Sequence, residues 1–367
     1  MNEIDVIKTY DELHKIPELG FQEFKTATYL ADKLEALGYE VTRNIGGTGV
    51  IGILRGSEVG PVMLVRADMD ALPFVVEGKD VAIHACGHDA HSSMVLAAAS
   101  RLVGKIKKGT LKILFQQGEE TLKGSLAIID AGFVDDVDLA LGVHIRPIQD
   151  APYGKMAPAV CHAASTFVDI KVTGLQCHAS RPHLGVNAIE AAVAGIVSMN
   201  AIKMNPIIPW SAKVTKFHGG GLATNIIPEV AEITLDVRAQ TNATMEELLE
   251  KIRKAFKGAA LGFGAEVEIL TKGGVIPAAE LDSELTAEVA ECITEVIGKE
   301  NLIPNLINPG GEDFHYFVQK RPHIKAAYFG VGCDCQPGLH HPAMKLDKTA
   351  LPSGVEVIVK MVERKLG

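Results

Sequence analysis

Residues 61–70 read PVMLVRADMD, an apolar run that ends in two aspartates. A short apolar run of this kind is typical of a buried strand in an α/β sheet. Ligands of open α/β sheets bind beyond the carboxyl ends of the strands, so Asp68 and Asp70 are candidate site residues. The alternative is that the two aspartates only begin a turn.

The same arrangement recurs twice further along the chain. A predicted strand at 111–115 precedes Glu119 and Glu120, and a predicted strand at 137–143 precedes His144. Strands that alternate with helices are usually parallel, and their carboxyl ends then share one edge of the sheet. We therefore expect these acidic and imidazole side chains to gather along that edge.

Residues 83–91 read IHACGHDAH and hold one thiol, one carboxylate and three imidazoles just ahead of a predicted apolar helix at 94–103. Cysteine, histidine and aspartate are ligands of divalent metals, and the Cys86-x-His88 pair lets two ligands from one turn point at one site. The alternative is a polar loop that caps the helix, with the serine at 92 or 93 as the N-cap.

Beyond Pro158 the pattern changes to strands that alternate apolar and polar residues, which indicates a sheet with one solvated face. Four such strands and two helices follow in the order β-α-β-β-α-β, as in a ferredoxin-like unit. After residue 275 the chain returns to α/β character. We predict an α/β protein of two domains: a discontinuous α/β/α domain with a mixed, mostly parallel sheet, formed by 1–163 and 275–367, and an inserted ferredoxin-like α+β domain, formed by 164–274.

Composition and charge narrow the range of partners. The 367 residues are 47% hydrophobic, enough for two cores, and the net charge of −9 disfavours nucleic acid and anionic membranes as partners. The first residues lack the features of a signal peptide, so we expect a cytoplasmic protein. The six cysteines are too scattered to indicate a disulfide framework. A separate zinc knot of Cys333, Cys335, His340 and His341 is an alternative that the Cys-x-Cys spacing disfavours.

Five side chains have the types and the number that two metal ions sharing a site require: Cys86, His88, Glu120, His144 and His340. Two such ions can polarise a carbonyl group and lower the pKa of a water towards 7, which suits hydrolysis. Glu119 is placed to act as the base, unless it only accepts a backbone hydrogen bond. Asp70 is expected to orient a ligand imidazole or carboxylate.

These residues lie in motifs that resemble those of the metal-dependent amidohydrolases, a family that includes aminoacylases, hippurate hydrolases and auxin-conjugate hydrolases. The motifs match in order and spacing across nearly the whole chain: RADMDALP at 66–73, HACGHDAH at 84–91, the glutamates at 119–120, His144, HASRPH at 178–183, NIIP at 225–228, GEDF at 311–314 and LHHP at 339–342. Within the family the chain is most similar to bacterial amidohydrolases.

The resemblance implies a two-domain metallohydrolase with two divalent ions per subunit, either zinc or manganese, with cobalt or nickel as further options. It also implies a homodimer formed through the inserted domain, which would act as a lid and dimerisation domain. The metal ligands and the base would be the residues named above, with Glu119 as a general acid/base.

Three residues of the inserted domain receive roles from the same resemblance. His178 would stabilise the developing oxyanion, and Asn225 and Arg238 would recognise the carboxylate or backbone of the substrate. On the predicted strand at 230–238, Arg238 shares the open face with Asp236, where a guanidinium can bind a carboxylate bidentately. The alternative is a surface ion pair between these two side chains.

The chain departs from the family pattern at three places. Gln117-Gly118 stands where the family usually has Pro-Ala, the segment between Pro73 and His84 is shorter than usual, and Cys177 replaces a small residue. These changes leave the predicted metal ligands intact and concern the size and shape of the substrate pocket.

We predict a metal-dependent amidohydrolase that cleaves the amide bond of N-acyl amino acids or related small conjugates. One alternative is a dipeptidase or carboxypeptidase that uses the same site. Another is a metal-binding carrier or sensor of the same fold, which the presence of Glu119 beside Glu120 disfavours because a carrier has no use for a carboxylate that binds no metal. A last alternative treats Cys86 as a redox-regulated thiol and not as a ligand.

Overall fold

The computed structural model of the chain describes residues 3–367 and divides into two compact units. Unit 1 comprises the chain up to Cys161 together with Glu280–Leu306 and Glu312–Gly367, and unit 2 comprises His162–Ala279 and Ile307–Gly311.

Nine α-helices lie within residues 3–367. They are α1 (Val6–Leu13), α2 (Phe24–Ala36), α3 (His88–Leu102), α4 (Gly124–Asp130), α5 (Ala188–Asn200), α6 (Asn242–Phe263), α7 (Ser283–Ile297), α8 (Tyr316–Lys320) and α9 (Leu351–Leu366). The side chains of Asp5, Asn187, Thr241 and Asp282 accept hydrogen bonds from first-turn N–H groups of α1, α5, α6 and α7, respectively. These N-caps fix where the four helices begin.

The strands of residues 3–367 are β1 (Glu40–Ile45), β2 (Gly49–Arg55), β3 (Glu58–Asp68), β4 (Leu72–Val76), β5 (Lys79–Ile83), β6 (Lys108–Gln116), β7 (Leu139–Pro147), β8 (Met156–Ala157), β9 (Val160–His162), β10 (Ala164–Thr173), β11 (Cys177–His178), β12 (Trp210–Gly219), β13 (Ile226–Ile227), β14 (Val230–Ala239), β15 (Glu266–Ile276), β16 (Leu306–Asn308) and β17 (Lys325–Cys335).

The main sheet of unit 1 has the strand order β1-β2-β6-β3-β7-β17-β8. Its four central strands, β6, β3, β7 and β17, run parallel, whereas β1, β2 and β8 are antiparallel to the neighbour that faces the centre. The predicted α/β fold with a mixed, mostly parallel sheet is therefore confirmed.

Helices cover both faces of this sheet. Met63 and Val65 of β3 belong to a buried cluster with α3 and α9, while Leu64 faces the opposite side and packs in a cluster with residues of α4 and α8. Because both faces are buried, the central strands are apolar on both sides, and polar side chains are concentrated at their carboxyl ends.

Unit 2 contains a four-stranded antiparallel sheet in the order β12-β14-β10-β15. One face packs on α5 and α6, with Ile170, Leu235, Leu248 and Phe256 among its buried residues. The other face carries polar side chains and Phe167, which is 49% exposed. The element order is β-α-β-β-α-β, with the short strands β11 and β13 forming a separate two-stranded ribbon.

Two predicted boundaries differ from the structure. The helix predicted at 94–103 is α3, which begins at His88 with Gly87 as the N-cap, so Ser92 and Ser93 lie inside the helix and the alternative of a serine cap is contradicted. Strand β7 continues to Pro147, three residues beyond His144, which the sequence pattern placed at the strand end. None of the helices between residues 3 and 367 is long and apolar enough to cross a membrane.

Candidate metal centre

The hairpin formed by β4 and β5 joins the end of β3 to the turn that carries Cys86 and His88. Gly87 lies between these two residues with φ of +87°, and a Cβ atom there would lie 2.3 Å from Cδ1 of Ile145. Only glycine tolerates both the left-handed backbone and this close approach. The turn therefore directs Cys86 and His88 into the same buried region, beside β7.

The five predicted metal ligands, which we call the ligand cluster, lie together in unit 1. The ligand atoms of Cys86, His88 and His144 are within 4.8 Å of one another, and so are those of Cys86, Glu120 and His340. Cys86 Sγ is 3.5 Å from His144 Nε2, and Glu120 Oε1 is 3.4 Å from His340 Nε2. Cys86 thus belongs to two groups of three, an arrangement that can serve two neighbouring cations.

Two buried atoms of the ligand cluster indicate that a cation fits there. Within the part of the chain that the structure describes, His88 Nε2 and Glu120 Oε1 are buried and make no hydrogen bond. His88 Nε2 lies 3.8 Å from Oε2 of Glu119 and from Oε1 of Glu120. Thiol, imidazole and carboxylate groups are the donors that borderline divalent metals prefer, so the residues present fit such ions.

Burial also shifts the proton affinities of the ligand cluster. It raises the pKa of the Cys86 thiol well above its usual range and raises the pKa of Glu120 to about 7. Burial lowers the pKa of His144 well below its usual range. These shifts favour uncharged side chains in the absence of a positive partner, as expected for charged forms removed from water.

Asp70 bridges two members of the ligand cluster. Its Oδ1 is 3.0 Å from His88 Nδ1, and its Oδ2 accepts a hydrogen bond of 3.0 Å from the backbone N–H of Glu120. The contact to Nδ1 leaves Nε2 of His88 to face the other ligands. This geometry agrees with the orienting role expected for Asp70.

Glu119 begins a short 3₁₀ turn that follows β6 after Gln117 and Gly118, and it is buried. Burial, followed by the negative charges of Glu312 and Glu120, raises its pKa well above the usual range. The turn is held by Glu23, whose Oε1 accepts the N–H of Gly118 at 2.8 Å. Gly118 has φ of +59°, and a Cβ atom there would lie 2.6 Å from the ring of Phe21, which explains why glycine precedes the glutamate pair in this chain.

A second buried polar group lies beside the ligand cluster, and of its members only Asp68 was predicted from the sequence as a candidate site residue. Arg66 donates from Nε to Gln116 (3.0 Å), from Nη1 to Asp68 (2.7 Å) and from Nη2 to Asp313 (2.8 Å). Glu312 Oε1 is 3.1 Å from the same Nη2 and also accepts the Phe314 N–H. We call these five residues, Arg66, Asp68, Gln116, Glu312 and Asp313, the Arg66 network.

His91 was also missed as a residue of the site. It lies in α3, three residues after His88, and is completely buried. Its Nδ1 is 2.7 Å from Asp68 Oδ1, and its Nε2 accepts the backbone N–H of Ile145 at 2.9 Å. The signals that could have identified these residues are a charged Arg66 within an apolar strand and the motifs that contain His91, Glu312 and Asp313.

The three predicted substrate residues all belong to unit 2. His178 lies in β11 and Asn225 directly precedes β13 of the same ribbon, where the N–H of Ala179 donates to the Asn225 carbonyl at 2.9 Å. Nδ1 of His178 accepts from the Ser180 N–H at 3.1 Å, so the ring proton is on Nε2. Arg238 lies on β14.

Arg238 forms the ion pair that was considered as the alternative to substrate binding. Its Nε and Nη2 donate to the two carboxylate oxygens of Asp236 at 2.9 and 3.1 Å, and its Nη1 donates to the Pro309 carbonyl at 2.8 Å. The guanidinium is 37% exposed.

The disfavoured alternative of a separate zinc knot is contradicted. Cys333 and Cys335 are completely buried in β17, and none of the possible metal-binding groups of residues 3–367 includes them. His340 belongs instead with Cys86 and Glu120, and its backbone N–H donates to the Ala85 carbonyl at 2.6 Å.

Comparison with known proteins shows the same family from sequence and from structure. The sequence profile of Peptidase family M20/M25/M40 matches residues 64–364. The hippurate hydrolase of Campylobacter jejuni is 34% identical over 372 residues, covering 98% of this chain and 96% of that protein. The N-acetyldiaminopimelate deacetylase of Streptococcus suis is 31% identical over 380 residues, covering 99% of each.

A solved structure is also similar over nearly the full length of the chain. The dinuclear metal-binding M20 peptidase of Bacillus subtilis superposes with a TM-score of 0.83 and 27% identity, covering 98% of this chain and 97% of that one. These relatives confirm the predicted class, a hydrolase of the metal-dependent amidohydrolase type. With a family profile and relatives that span nearly its full length, the chain belongs to Peptidase family M20/M25/M40.

Proposed function

We propose that this protein hydrolyses the amide bond of small N-acyl amino acids, using two divalent metal ions held by the ligand cluster. The observation that carries the proposal is the meeting of five ligand-type side chains beside a buried glutamate, with His88 Nε2 and Glu120 Oε1 making no hydrogen bond among residues 3–367. Further support comes from the hippurate hydrolase and the deacetylase, whose names describe the removal of an acyl group from an amino acid.

Cys86, His88, Glu120, His144 and His340 would hold the ions, which we propose to be zinc or manganese, with cobalt or nickel as possible substitutes. Bound divalent ions supply Lewis-acid chemistry, because they polarise a carbonyl group and lower the pKa of water. Asp70 keeps His88 oriented through the contact to Nδ1, so that Nε2 is the donor atom directed at the ions.

Glu119 is the proposed general acid/base. It lies beside the ligand cluster, and its raised pKa suits a carboxylate that accepts a proton from the attacking water and returns it to the departing amine. The hydrogen bond from the Gly118 N–H to the Glu23 carboxylate fixes the turn on which Glu119 lies. This proton transfer completes hydrolysis, in which the amide C–N bond breaks and a carboxylate and an amine form.

In unit 2, His178 carries a proton on Nε2 and can donate it in a hydrogen bond to a developing oxyanion. Asn225 and Arg238 are the proposed contacts for the substrate carboxylate or backbone. We propose that unit 2, predicted as the domain 164–274, acts as a lid and joins two subunits into a homodimer. We also propose that the enzyme works in the cytoplasm.

The decisive experiment is Glu119→Gln in metal-loaded protein. Because the amide cannot accept the proton, we expect kcat to fall by about 10²–10⁴-fold, with the metal content unchanged by elemental analysis. Glu58→Gln, which changes an exposed glutamate of β3, is the matched control and should leave kcat unchanged. A Glu119→Gln protein that keeps full activity would refute the base assignment, and one that loses metal would make Glu119 a ligand.

A substrate panel separates this function from the dipeptidase or carboxypeptidase alternative. Hippurate, N-acetyldiaminopimelate and other acetyl or benzoyl amino acids should be hydrolysed with a higher kcat/KM than unmodified dipeptides. A preference for dipeptides would replace the proposed substrate class without changing the proposed site.

A further inference from the structure

His91 lies among groups that could bind a metal, yet both of its ring nitrogens are engaged. The ligand atoms of Asp68, His88 and His91 lie within 4.8 Å of one another. Nε2 of His91 accepts the Ile145 N–H at 2.9 Å, so the ring proton is on Nδ1, which donates to Asp68 Oδ1 at 2.7 Å. A neutral imidazole with this pattern has no lone pair left for a cation.

The backbone N–H that His91 contacts is that of Ile145, the residue after the proposed metal ligand His144. The pairing of β3 with β7 ends where Arg66 lies opposite Gly142. Ile145 lies farther along β7, and the acceptor for its backbone N–H is the side chain of His91. The carbonyl of Ile145 accepts a hydrogen bond from Nδ1 of His144 at 2.5 Å. Ile145 is therefore held through its N–H by His91 and in turn orients the ring of His144.

This orientation directs the other nitrogen of His144 into the ligand cluster. With Nδ1 engaged by the Ile145 carbonyl, Nε2 of His144 lies 3.5 Å from Cys86 Sγ. The rings of His91 and His144 also lie against each other, with centroids 4.3 Å apart. A shift of the Ile145 backbone would therefore move the imidazole of His144 relative to Cys86.

His91 is itself rigidly supported. Its backbone N–H donates to the Gly87 carbonyl at 3.0 Å, in the first turn of α3, and its partner Asp68 is completely buried. Asp68 accepts from Arg66 Nη1 at 2.7 Å, and its backbone carbonyl accepts from Ser92 Oγ at 2.7 Å. The Arg66 network and the ligand cluster are thus connected through His91.

We propose that His91 is a positioning residue that fixes His144 for metal binding by holding the backbone of Ile145, and that His91 is not itself a ligand. This inference rests on the proposed metal site and adds a residue to which neither the family motif nor the predicted ligand set gives a role. The proposed cause of this positioning is the pair of hydrogen bonds that the His91 ring makes with Asp68 and Ile145, and not merely the space that the ring fills.

The test compares His91→Gln with His91→Leu in the full chain. A glutamine amide can donate to Asp68 and accept from Ile145, whereas leucine can do neither. The probe is Co²⁺ alone, titrated into metal-free protein and followed by visible absorption and by the thiolate-to-cobalt charge-transfer band. We expect His91→Leu to weaken cobalt binding by about 10–100-fold and to shift the bands, and His91→Gln to keep the parental spectrum.

A second measurement needs neither metal nor turnover. In metal-free protein, amide hydrogen exchange of the segment that contains Ile145 should become faster in His91→Leu and stay slow in His91→Gln. If His91→Leu does not fold, His91→Asn replaces it, because its shorter amide cannot reach both partners.

Several outcomes would overturn the inference. Parental cobalt affinity and spectrum in His91→Leu would mean that His91 does not position His144. Loss of one cobalt equivalent in His91→Gln would make His91 a ligand. A parent protein that binds no cobalt would refute both the metal site and this role, whereas one that binds cobalt but hydrolyses no N-acyl amino acid would refute only the proposed substrate class.

Discussion

The Arg66 network and the ligand cluster are two groups of polar side chains at the same end of the central sheet, and they differ in how their buried atoms are paired. All three guanidinium nitrogens of Arg66 donate to side-chain oxygens. In the ligand cluster, His88 Nε2 and Glu120 Oε1 have no hydrogen bond among residues 3–367. A buried polar atom without a partner is costly, so the ligand cluster has the character of a binding site and the Arg66 network that of a support.

Removing the central cation of the support should have the largest effect on stability. Arg66→Met leaves the buried carboxylates of Asp68 and Asp313 without their positive partner, and we expect a loss of about 3–5 kcal/mol or failure to fold. Thermal unfolding followed by circular dichroism measures the change. Arg55→Met, which removes an exposed ion pair with Glu40, is the control and should cost less than about 1 kcal/mol. Equal losses in the two variants would show that the Arg66 network gives no special support.

We expect the ligand cluster to stabilise the folded protein only when metal ions are bound to it. We expect the parent protein to be stabilised by about 2.7 kcal/mol when free metal is at 100 times its Kd, seen as a higher Tm with Zn²⁺ or Mn²⁺ than after chelation. Cys86→Ser should lose most of this gain, because Cys86 belongs to both groups of ligands. A Tm that does not respond to metal in the parent would remove the contrast between the two groups.

The glycine between Cys86 and His88 tests how tightly the ligand cluster is packed. Gly87→Ala forces a Cβ atom to within 2.3 Å of Ile145 Cδ1, and we expect it to be less stable than Gly78→Ala by about 2 kcal/mol. Gly78 is the matched control, since it has a similar φ of +76° and nothing within 4 Å of a Cβ atom. Denaturant midpoints of the two variants give the comparison. Similar midpoints would mean that backbone strain, and not the contact with Ile145, decides the cost.

The smallest effect is expected at the rim of the site. His14 Nδ1 is 2.6 Å from Asp89 Oδ2, and this hydrogen bond raises the pKa of His14 above its ordinary value of 6.5. A raised pKa stabilises the fold below the ordinary value, and this contribution is lost as the pH rises through the folded-state pKa.

In His14→Gln we therefore expect a loss of less than about 1 kcal/mol, larger at pH 5.5 than at pH 9. Tm values of metal-free protein at the two pH values measure it, with the exposed His323→Gln as control. A larger loss at pH 9 than at pH 5.5 would show that protonated His14 does not stabilise the fold.

The sequence predicted the fold well where local patterns decide it. The strand predicted at 111–115 lies within β6 (Lys108–Gln116), because its apolar residues are buried on both faces of the sheet. Helix α3 was placed six residues too late, because His88, Asp89, His91 and the two serines are polar but buried. Their partners, such as Asp68, come from other strands and cannot be recognised from spacing.

The ligand cluster was predictable and its support was not, for a related reason. Side chains of metal-ligand type are recognisable by their chemistry, so Cys86, His88 and Glu120 stand out in the sequence as candidates. Arg66 has a recognisable position within an apolar strand, but its partner Asp313 lies 247 residues further along the chain. Only the tertiary fold shows that the two side chains meet.

The strand order of unit 1 explains why a site lies at the carboxyl end of β3. After β3 the chain adds β6 on one side of it and then β7 on the other, with the intervening helices α3 and α4 packed on opposite faces of the sheet. Two crossovers that depart in opposite directions leave a crevice between them, at what is called a topological switch point. The crevice is thus a property of the chain path, and it would remain if every side chain of the ligand cluster were exchanged for another.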